Sequence, residues 1–123
     1  MIACTYSDSE HENSLVEGLL ARNVDGLFVV PSTRETRHLF NRELLACCKP
    51  TAILFNVGRG DAIQSEHLLE ALKSGRPGVA ILDVFEEEPL SMNSPIREHP
   101  FCILGSHNAS NTTDAVVRTS RIA

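Results

Sequence analysis

Short apolar runs alternate with helix-like segments along most of this chain of 123 residues. The runs lie at 2–6, 26–30, 52–56, 78–84 and 102–106. Such alternation is typical of a parallel α/β sheet, in which a strand returns through a helix before the next strand begins. Because the runs do not alternate apolar and polar residues, both faces of the sheet are expected to be covered.

Four segments have apolar residues at helical spacing, and they lie at about 7–23, 36–48, 65–75 and 112–122. Ser65 is expected to cap the third helix, and Gly75 is expected to end it in a left-handed conformation. The stretch from Glu86 to Pro100 is expected to be an irregular loop that holds one turn. We therefore expect a single domain over 1–123, a three-layer α/β fold of the Rossmann or flavodoxin type with about five parallel strands and helices on both faces.

Composition excludes several classes of protein. Hydrophobic residues make up 42% and charged residues 22% of the chain, as in a globular protein. The formal net charge is −5 and the basic residues are scattered, so nucleic-acid binding is not expected. No apolar run is long enough to span a membrane and no basic leader precedes one, so we expect a cytoplasmic protein without membrane contact.

The four cysteines, Cys4, Cys47, Cys48 and Cys102, have neither the C-x-x-C spacing of a redox motif nor histidines at zinc-ligand spacing. We therefore expect reduced thiols, an intracellular setting and no metal site.

From about Thr33 to the C-terminus, four stretches occur in a characteristic order. They are "TRETRHLFNRELLACCKPTAILFNVGRGDAI", "LLEALKSGRPGVAILDVFEEEPL", "SPIREHP" and "SHNAS". Their order and spacing resemble the C-terminal half of the nucleotide-binding domain of the D-2-hydroxyacid dehydrogenases. The resemblance implies a Rossmann-like fold and NAD-dependent oxidation of a 2-hydroxy acid.

The same resemblance implies roles for four side chains. Arg59 in "NVGRG" matches the arginine that binds the substrate carboxylate, for which its planar fork is suited. His107 in "SHNAS" matches the acid/base histidine, and Glu88 matches the carboxylate that hydrogen-bonds and orients it. Asp83 in "ILDV" matches a position near the nicotinamide amide of the cofactor.

The positions of these residues along the chain agree with a common site. Arg59, Asp83 and His107 each lie at or just past the carboxyl end of an apolar run, where open α/β sheets bind ligands. A structural interpretation remains open: Arg59 as an exposed loop residue, 86–88 as a solvated acidic turn, and His107 as a strand-end histidine bonded to the backbone.

Residues 1 to about 32 resemble a different group of proteins. The stretch "IACTYSDSEHENSLVEGLLARNVDGLFVVPS" is similar to the sugar-binding domains of lac-repressor-type regulators and periplasmic binding proteins. Two families that meet near Pro31 would make the chain a chimera, engineered or fragmentary.

The chain contains no G-x-G-x-x-G turn, the motif that holds the pyrophosphate of a dinucleotide. Without that anchor, proximity effects worth roughly 7–11 kcal/mol would be lost. We therefore expect no bound cofactor and no independent catalysis, with Arg59, Asp83, Glu88 and His107 as vestiges. Two alternatives stay open: an NAD-dependent dehydrogenase fragment that acts with a partner supplying the nucleotide loop, and a small-ligand binding module.

Handedness of the crossovers has a consequence for assembly. Strands that advance in one direction place their connecting helices on one face of the sheet. The opposite face would then be apolar with little cover beyond the helix at 112–122. Exposed apolar surface favours association, so we expect a homodimer, with or without exchange of elements between protomers.

Overall fold

The structure is a computed structural model that describes Ser14, Gly18, residues 38–108 and residues 111–112. Its elements are α1 (Arg42–Ala46), β1 (Ile53–Asn56), a first 3-10 helix (Gly60–Ala62), α2 (Ser65–Lys73), β2 (Val79–Leu82), a second 3-10 helix (Pro95–Glu98) and β3 (Cys102–Leu104). Ser14 and Gly18 are helical, as predicted for 7–23. The strands predicted at 2–6 and 26–30 lie outside the described residues, as does the helix predicted at 112–122 beyond its first residue.

The three strands predicted from the other apolar runs form one parallel sheet in the order β1-β2-β3. Leu54 of β1 lies beside Ala80 of β2, which lies beside Cys102 of β3. All three carboxyl ends therefore meet at one edge. The prediction of a parallel, Rossmann-like α/β fold is confirmed. The loop from Glu86 to Pro100 holds one turn more than predicted, because a turn closed by the Ser94 N–H and the Ser91 carbonyl at 3.1 Å precedes the second 3-10 helix.

The core lies between one face of this sheet and the helices. Leu54, Ala80 and Leu82 point toward that side and are buried. They form one cluster with residues of α1, α2, the segments around the 3-10 helices and the loop before β3: Leu45, Ile63, Leu68, Ala71, Leu72 and Ile96. Burial of these aliphatic side chains is the main term that stabilises the described part of the domain.

The opposite face of the sheet is apolar and exposed. Burial alternates along β1, and Ile53 and Phe55 are 65% and 56% exposed. Ile103 of β3 is 58% exposed, and it shares a row with Phe55 through Ile81 of β2. The homodimer expected from such a face stays a prediction. Among the described residues no helix is both long and apolar enough to cross a membrane.

Two predicted helix starts are wrong, and side-chain caps explain why. The second predicted helix begins at Arg42 in the structure, because the Asn41 side chain accepts the Leu44 N–H at 2.8 Å and stops the helix there. The third begins with Ser65 as its first residue and not its cap. Its N–H donates to a carboxylate oxygen of Glu86 at 2.9 Å, so an acidic side chain from another turn satisfies the helix start.

The predicted end of α2 is confirmed. Gly75 has φ of +77°, and its N–H donates to the Leu72 carbonyl at 3.0 Å. The Arg76 N–H donates to the Ala71 carbonyl at 2.9 Å. This pair of bonds is the Schellman arrangement, which satisfies two of the carbonyls left open at a helix end.

Cys47, Cys48 and Cys102 are free thiols, as expected for three of the four cysteines; Cys4 lies outside the described residues. Burial raises the pKa of the Cys48 and Cys102 thiols, and at Cys48 the neighbouring Cys47 adds to the rise. Both thiols are therefore poor nucleophiles at neutral pH. In the described part of the chain, no cluster of three histidine, cysteine or acidic side chains could hold a metal ion.

Substituting Gly75 with alanine tests the left-handed helix end. Gly75→Ala should lower the free energy of unfolding by about 1–2 kcal/mol, because an L side chain is strained at positive φ. Gly18→Ala is the control: Gly18 is helical and exposed, and an added Cβ meets nothing within 4 Å. That change should raise stability by roughly 0.5–1 kcal/mol. Urea denaturation followed by circular dichroism measures both, and equal shifts in the same direction would contradict the assignment.

Candidate functional site

The carboxyl ends of the three strands are tied to one another just beyond the regular sheet. The Asp83 N–H donates to the Asn56 carbonyl at 2.9 Å, and the Gly105 N–H donates to the Leu82 carbonyl at 2.7 Å. These bonds continue the parallel ladder by one residue. The segments that leave the strands, with the predicted site residues, therefore start from fixed positions.

Arg59 lies in the turn that follows β1. Its backbone is extended and it precedes the first 3-10 helix. The guanidinium is exposed, and its Nη1 donates to the Gly58 carbonyl at 3.1 Å. The side chain of Asn56 spans this turn, because its Nδ2 donates to the Arg59 carbonyl at 2.9 Å. Arg59 thus sits on a bonded turn and not on a free loop.

Asp83 directly follows β2 and is half-buried. Its carboxylate lies against the backbone of Gly105, the first residue after β3, so closely that a Cβ at that position would overlap it. A larger residue at position 105 would therefore displace the Asp83 carboxylate from its present position. This close packing brings Asp83 next to the segment that holds His107.

Glu88 and His107 form a direct pair. The Glu88 Oε2 lies 2.8 Å from the His107 Nδ1, and the Glu88 Oε1 accepts the Phe85 N–H at 2.9 Å. Both carboxylate oxygens are therefore engaged. His107 has φ of +60°, a left-handed conformation that is uncommon for a residue with a side chain.

The pKa of Glu88 is lowered from its ordinary value. The largest cause is the hydrogen bond from the Phe85 amide, and the bond from His107 adds to it; partial burial and Asp83 oppose the shift more weakly. Because the ionised form is favoured, Glu88 is a persistent acceptor for the His107 ring.

The turn that holds Arg59 and the turn that holds Glu88 are in backbone contact. A Cβ on Gly60 would overlap the Phe85 carbonyl, so only glycine fits there. Phe85 thus has its carbonyl against the Arg59 turn and its amide on Glu88. Phe85 therefore sets the position of the Arg59 turn relative to Glu88 and its partner His107.

The structure brings together what the sequence distributed over three strand ends. Glu88 and His107 are bonded directly, Asp83 adjoins Gly105, and the Arg59 turn contacts the backbone of Phe85 through Gly60. Sequence reasoning missed the Phe85 amide and the Asn56 side chain. Asn56 had a visible signal, a polar residue that ends an aliphatic strand, whereas a backbone amide has none.

This arrangement matches a known family. The model for the NAD-binding domain of D-isomer specific 2-hydroxyacid dehydrogenases matches residues 8–109. The chain belongs to this family.

Curated relatives and solved structures agree with the assignment. Glyoxylate reductases of Thermofilum pendens and Aeropyrum pernix are 45% and 42% identical over 94 and 105 residues, or 76% and 85% of the chain, which covers 28% and 31% of their lengths. An NADPH-dependent glyoxylate/hydroxypyruvate reductase of Sinorhizobium meliloti, solved with NADP and malonate, aligns with a TM-score of 0.74 and 32% identity over 87% of this chain and 33% of that chain. The chain thus spans about a third of the length of these three relatives or less.

Three expectations are wrong. The dehydrogenase family model begins at residue 8, so most of the stretch that resembles sugar-binding domains lies inside one continuous match, and a chimera is not supported. The expectation of no cofactor is overturned because the matched domain is an NAD-binding domain, and a solved relative holds NADP. The expectation of a protein without function is also wrong, because the relatives are named as glyoxylate reductases.

The titration of Glu88 tests which contact holds it ionised. In His107→Ala the pKa of Glu88 should rise but stay below its ordinary value, because the Phe85 amide is the larger cause. Titration of the Glu88 carboxyl carbon by NMR measures this. His99→Ala is the control, since His99 packs against Phe101. A complete return to the ordinary value in His107→Ala would show that the histidine was the dominant partner.

The sign of the accompanying stability change follows from the lowered pKa. Glu88 favours folding where it is ionised in both states, above its unfolded pKa of about 4.3. That contribution is lost as the pH falls through the lowered pKa of the folded state.

Proposed function

We propose that this chain is the catalytic portion of the nucleotide-binding domain of an NAD(P)-dependent reductase that interconverts small 2-oxo and 2-hydroxy acids. The observation that supports this most directly is the Glu88–His107 pair beside the Arg59 turn, at the carboxyl edge of a parallel sheet. The names of its relatives suggest glyoxylate or hydroxypyruvate as the substrate.

His107 is the proposed proton donor and acceptor. With Nδ1 bonded to Glu88, the other ring nitrogen is left to face a substrate oxygen. Glu88 holds the ring in one orientation and stabilises the positive charge that the ring has when it holds the proton. The hydrogen bond from the Phe85 amide lowers the pKa of Glu88 and so favours its ionised form.

Arg59 is the proposed carboxylate ligand. A guanidinium offers two parallel N–H groups to one carboxylate, which fixes a small acid in both position and rotation. The exposed side chain of Arg59 follows the end of β1, at the same edge of the sheet where Asp83 follows β2 and His107 follows β3. In this proposal Arg59 binds the carboxylate at one end of the acid, and His107 protonates the oxygen at the other end.

Asp83 is the proposed contact for the nicotinamide end of the cofactor. Its half-buried carboxylate is an acceptor at the rim, which suits the N–H groups of a carboxamide. The cofactor, when bound, supplies the hydride. The described part of the chain has no glycine-rich turn of the G-x-G-x-x-G type that would hold the phosphates of the cofactor.

The alternative of a small-ligand binding module rested on the N-terminal resemblance alone. That stretch falls within the dehydrogenase match from residue 8 onward. The fragment alternative is retained in part: the chain acts as a portion of a reductase, and the rest of the relatives' length supplies what this portion does not.

Cofactor binding is the first test. Titrating the chain with NADPH, and separately with NADH, should give a saturable change in nucleotide fluorescence. Asp83→Ala should weaken that binding by about tenfold, since one hydrogen bond to a charged group is lost. Glu70→Gln removes the same charge from the surface between α1 and α2, where Glu70 pairs with Arg42, and should change nothing. No saturable change with either nucleotide would contradict cofactor binding by this chain.

Catalysis is best tested in a complete frame. We would replace the 94-residue matching segment of the Thermofilum pendens glyoxylate reductase with that of this chain and follow oxidation of NADPH with glyoxylate. The hybrid should be active, and His107→Gln should reduce turnover by at least about a hundredfold. Arg59→Gln should chiefly raise KM.

Arg42→Gln is the charge-matched control for that experiment, because Arg42 pairs with Glu70 on the surface between α1 and α2. It should leave both kinetic constants unchanged. An active hybrid that tolerates His107→Gln would contradict the proposed role of the histidine.

A further inference from the structure

We propose that Asn56 is a positioning residue that sets the direction of the Arg59 guanidinium for binding a carboxylate. The inference rests on the proposed function, because it gives Arg59 the carboxylate. The inference goes beyond the proposed function because it assigns a role to a side chain that does not bind the substrate itself.

Asn56 is the last residue of β1 and is only 8% exposed. Its side chain bonds twice to the turn that follows: the Oδ1 accepts the Gly58 N–H at 3.2 Å, and the Nδ2 donates to the Arg59 carbonyl at 2.9 Å. Its main-chain carbonyl accepts the Asp83 N–H at 2.9 Å. One residue therefore joins the end of β1, the end of β2 and the Arg59 turn.

The route from Asn56 to the guanidinium runs through one residue, Gly58. Asn56 fixes the Gly58 amide, and the Gly58 carbonyl accepts the Arg59 Nη1 at 3.1 Å. A long arginine side chain loses considerable rotamer entropy when it is fixed. Fixing it before the ligand arrives lowers the cost of a two-point contact with a carboxylate.

The turn needs such a clamp because its sequence is permissive. Glycines precede and follow Arg59, and glycine restricts the backbone least of all residues. No side chain caps the 3-10 helix that begins at Gly60. The Asn56 side chain supplies the local hydrogen bonds that shape the turn, as asparagine commonly does.

The location of Asn56 also connects the clamp to the Glu88 turn. Asn56 lines a shallow crevice with Gly60, Phe85 and Glu86. Gly60 abuts the Phe85 carbonyl. A shift of the Arg59 turn is therefore resisted on one side by Asn56 and on the other by the backbone that holds Glu88.

The experiment compares Asn56→Ala, and the milder Asn56→Ser, with two controls in the 123-residue chain. Leu54→Val alters a buried residue of the same strand face and loses packing without a polar contact. Asn41→Ala removes a comparable amide-to-backbone bond at the start of α1. Two readouts by NMR are hydrogen exchange of the Gly58 amide without ligand, and the dissociation constant for oxalate from the Arg59 Nε–H resonance.

Loss of Asn56 should speed exchange of the Gly58 amide and raise the dissociation constant for oxalate, each by about tenfold. Both controls should stay within about twofold of the wild type in each readout. Amide spectra show which variants are folded, and Asn56→Ser gives the result if Asn56→Ala does not fold.

Unchanged oxalate affinity in the Asn56 variants would overturn the positioning role and leave the carboxylate role of Arg59 intact. Equal losses in Leu54→Val and Asn41→Ala would overturn it as well, since general destabilisation would then explain the effect. A wild-type chain that does not bind oxalate at all would remove the carboxylate role itself, and the positioning role with it.

Discussion

The candidate site depends on two main-chain hydrogen bonds that extend the parallel ladder by one residue. The bond from Asp83 to Asn56 and the bond from Gly105 to Leu82 hold the three strand ends in register where the chain leaves the sheet. Each site residue then follows at a short distance along the chain, so the sheet itself defines the relative positions of the acidic, basic and histidine groups. A parallel sheet buried on this side by aliphatic residues is rigid enough to serve that purpose.

The described part of the fold was largely predictable from the sequence, because its signals are local. The three apolar runs from 52 onward became β1, β2 and β3, and Gly75 ended α2 in the left-handed conformation that its position indicated. The errors lie at helix starts, where long-range partners decide. A carboxylate from Glu86 caps α2, and no pattern around Ser65 could have shown it.

The site was predictable in its residues but not in its connections. Family resemblance led to Arg59, Asp83, Glu88 and His107, whereas the bonds that align them come mostly from backbone. The Phe85 amide, the close packing at Gly60 and the Asp83 carboxylate over Gly105 have no sequence pattern of their own.

The two wrong inferences, about origin and about the cofactor, have different causes. A stretch such as "NVDGLFVVPS" has the apolar strand and turn chemistry of any parallel α/β unit, so similarity to sugar-binding domains could not separate that fold from a dehydrogenase. The inference of no cofactor treats the lack of a glycine-rich turn as a property of the whole protein. In a chain that spans about a third of its relatives or less, it bears only on this portion.

The left-handed conformation of His107 indicates that its pair with Glu88 is only one of several contacts that hold this loop. A left-handed conformation for such a residue costs on the order of 1–3 kcal/mol. An ion pair between side chains as exposed as these contributes only about 0–1 kcal/mol. The pair alone does not offset the strain, so the strand-end bond of Gly105 and the hold of the Phe85 amide on Glu88 must share in fixing the loop. Several contacts at the carboxyl edge of the sheet therefore maintain the conformation of His107, which suits a ring that is proposed to transfer a proton.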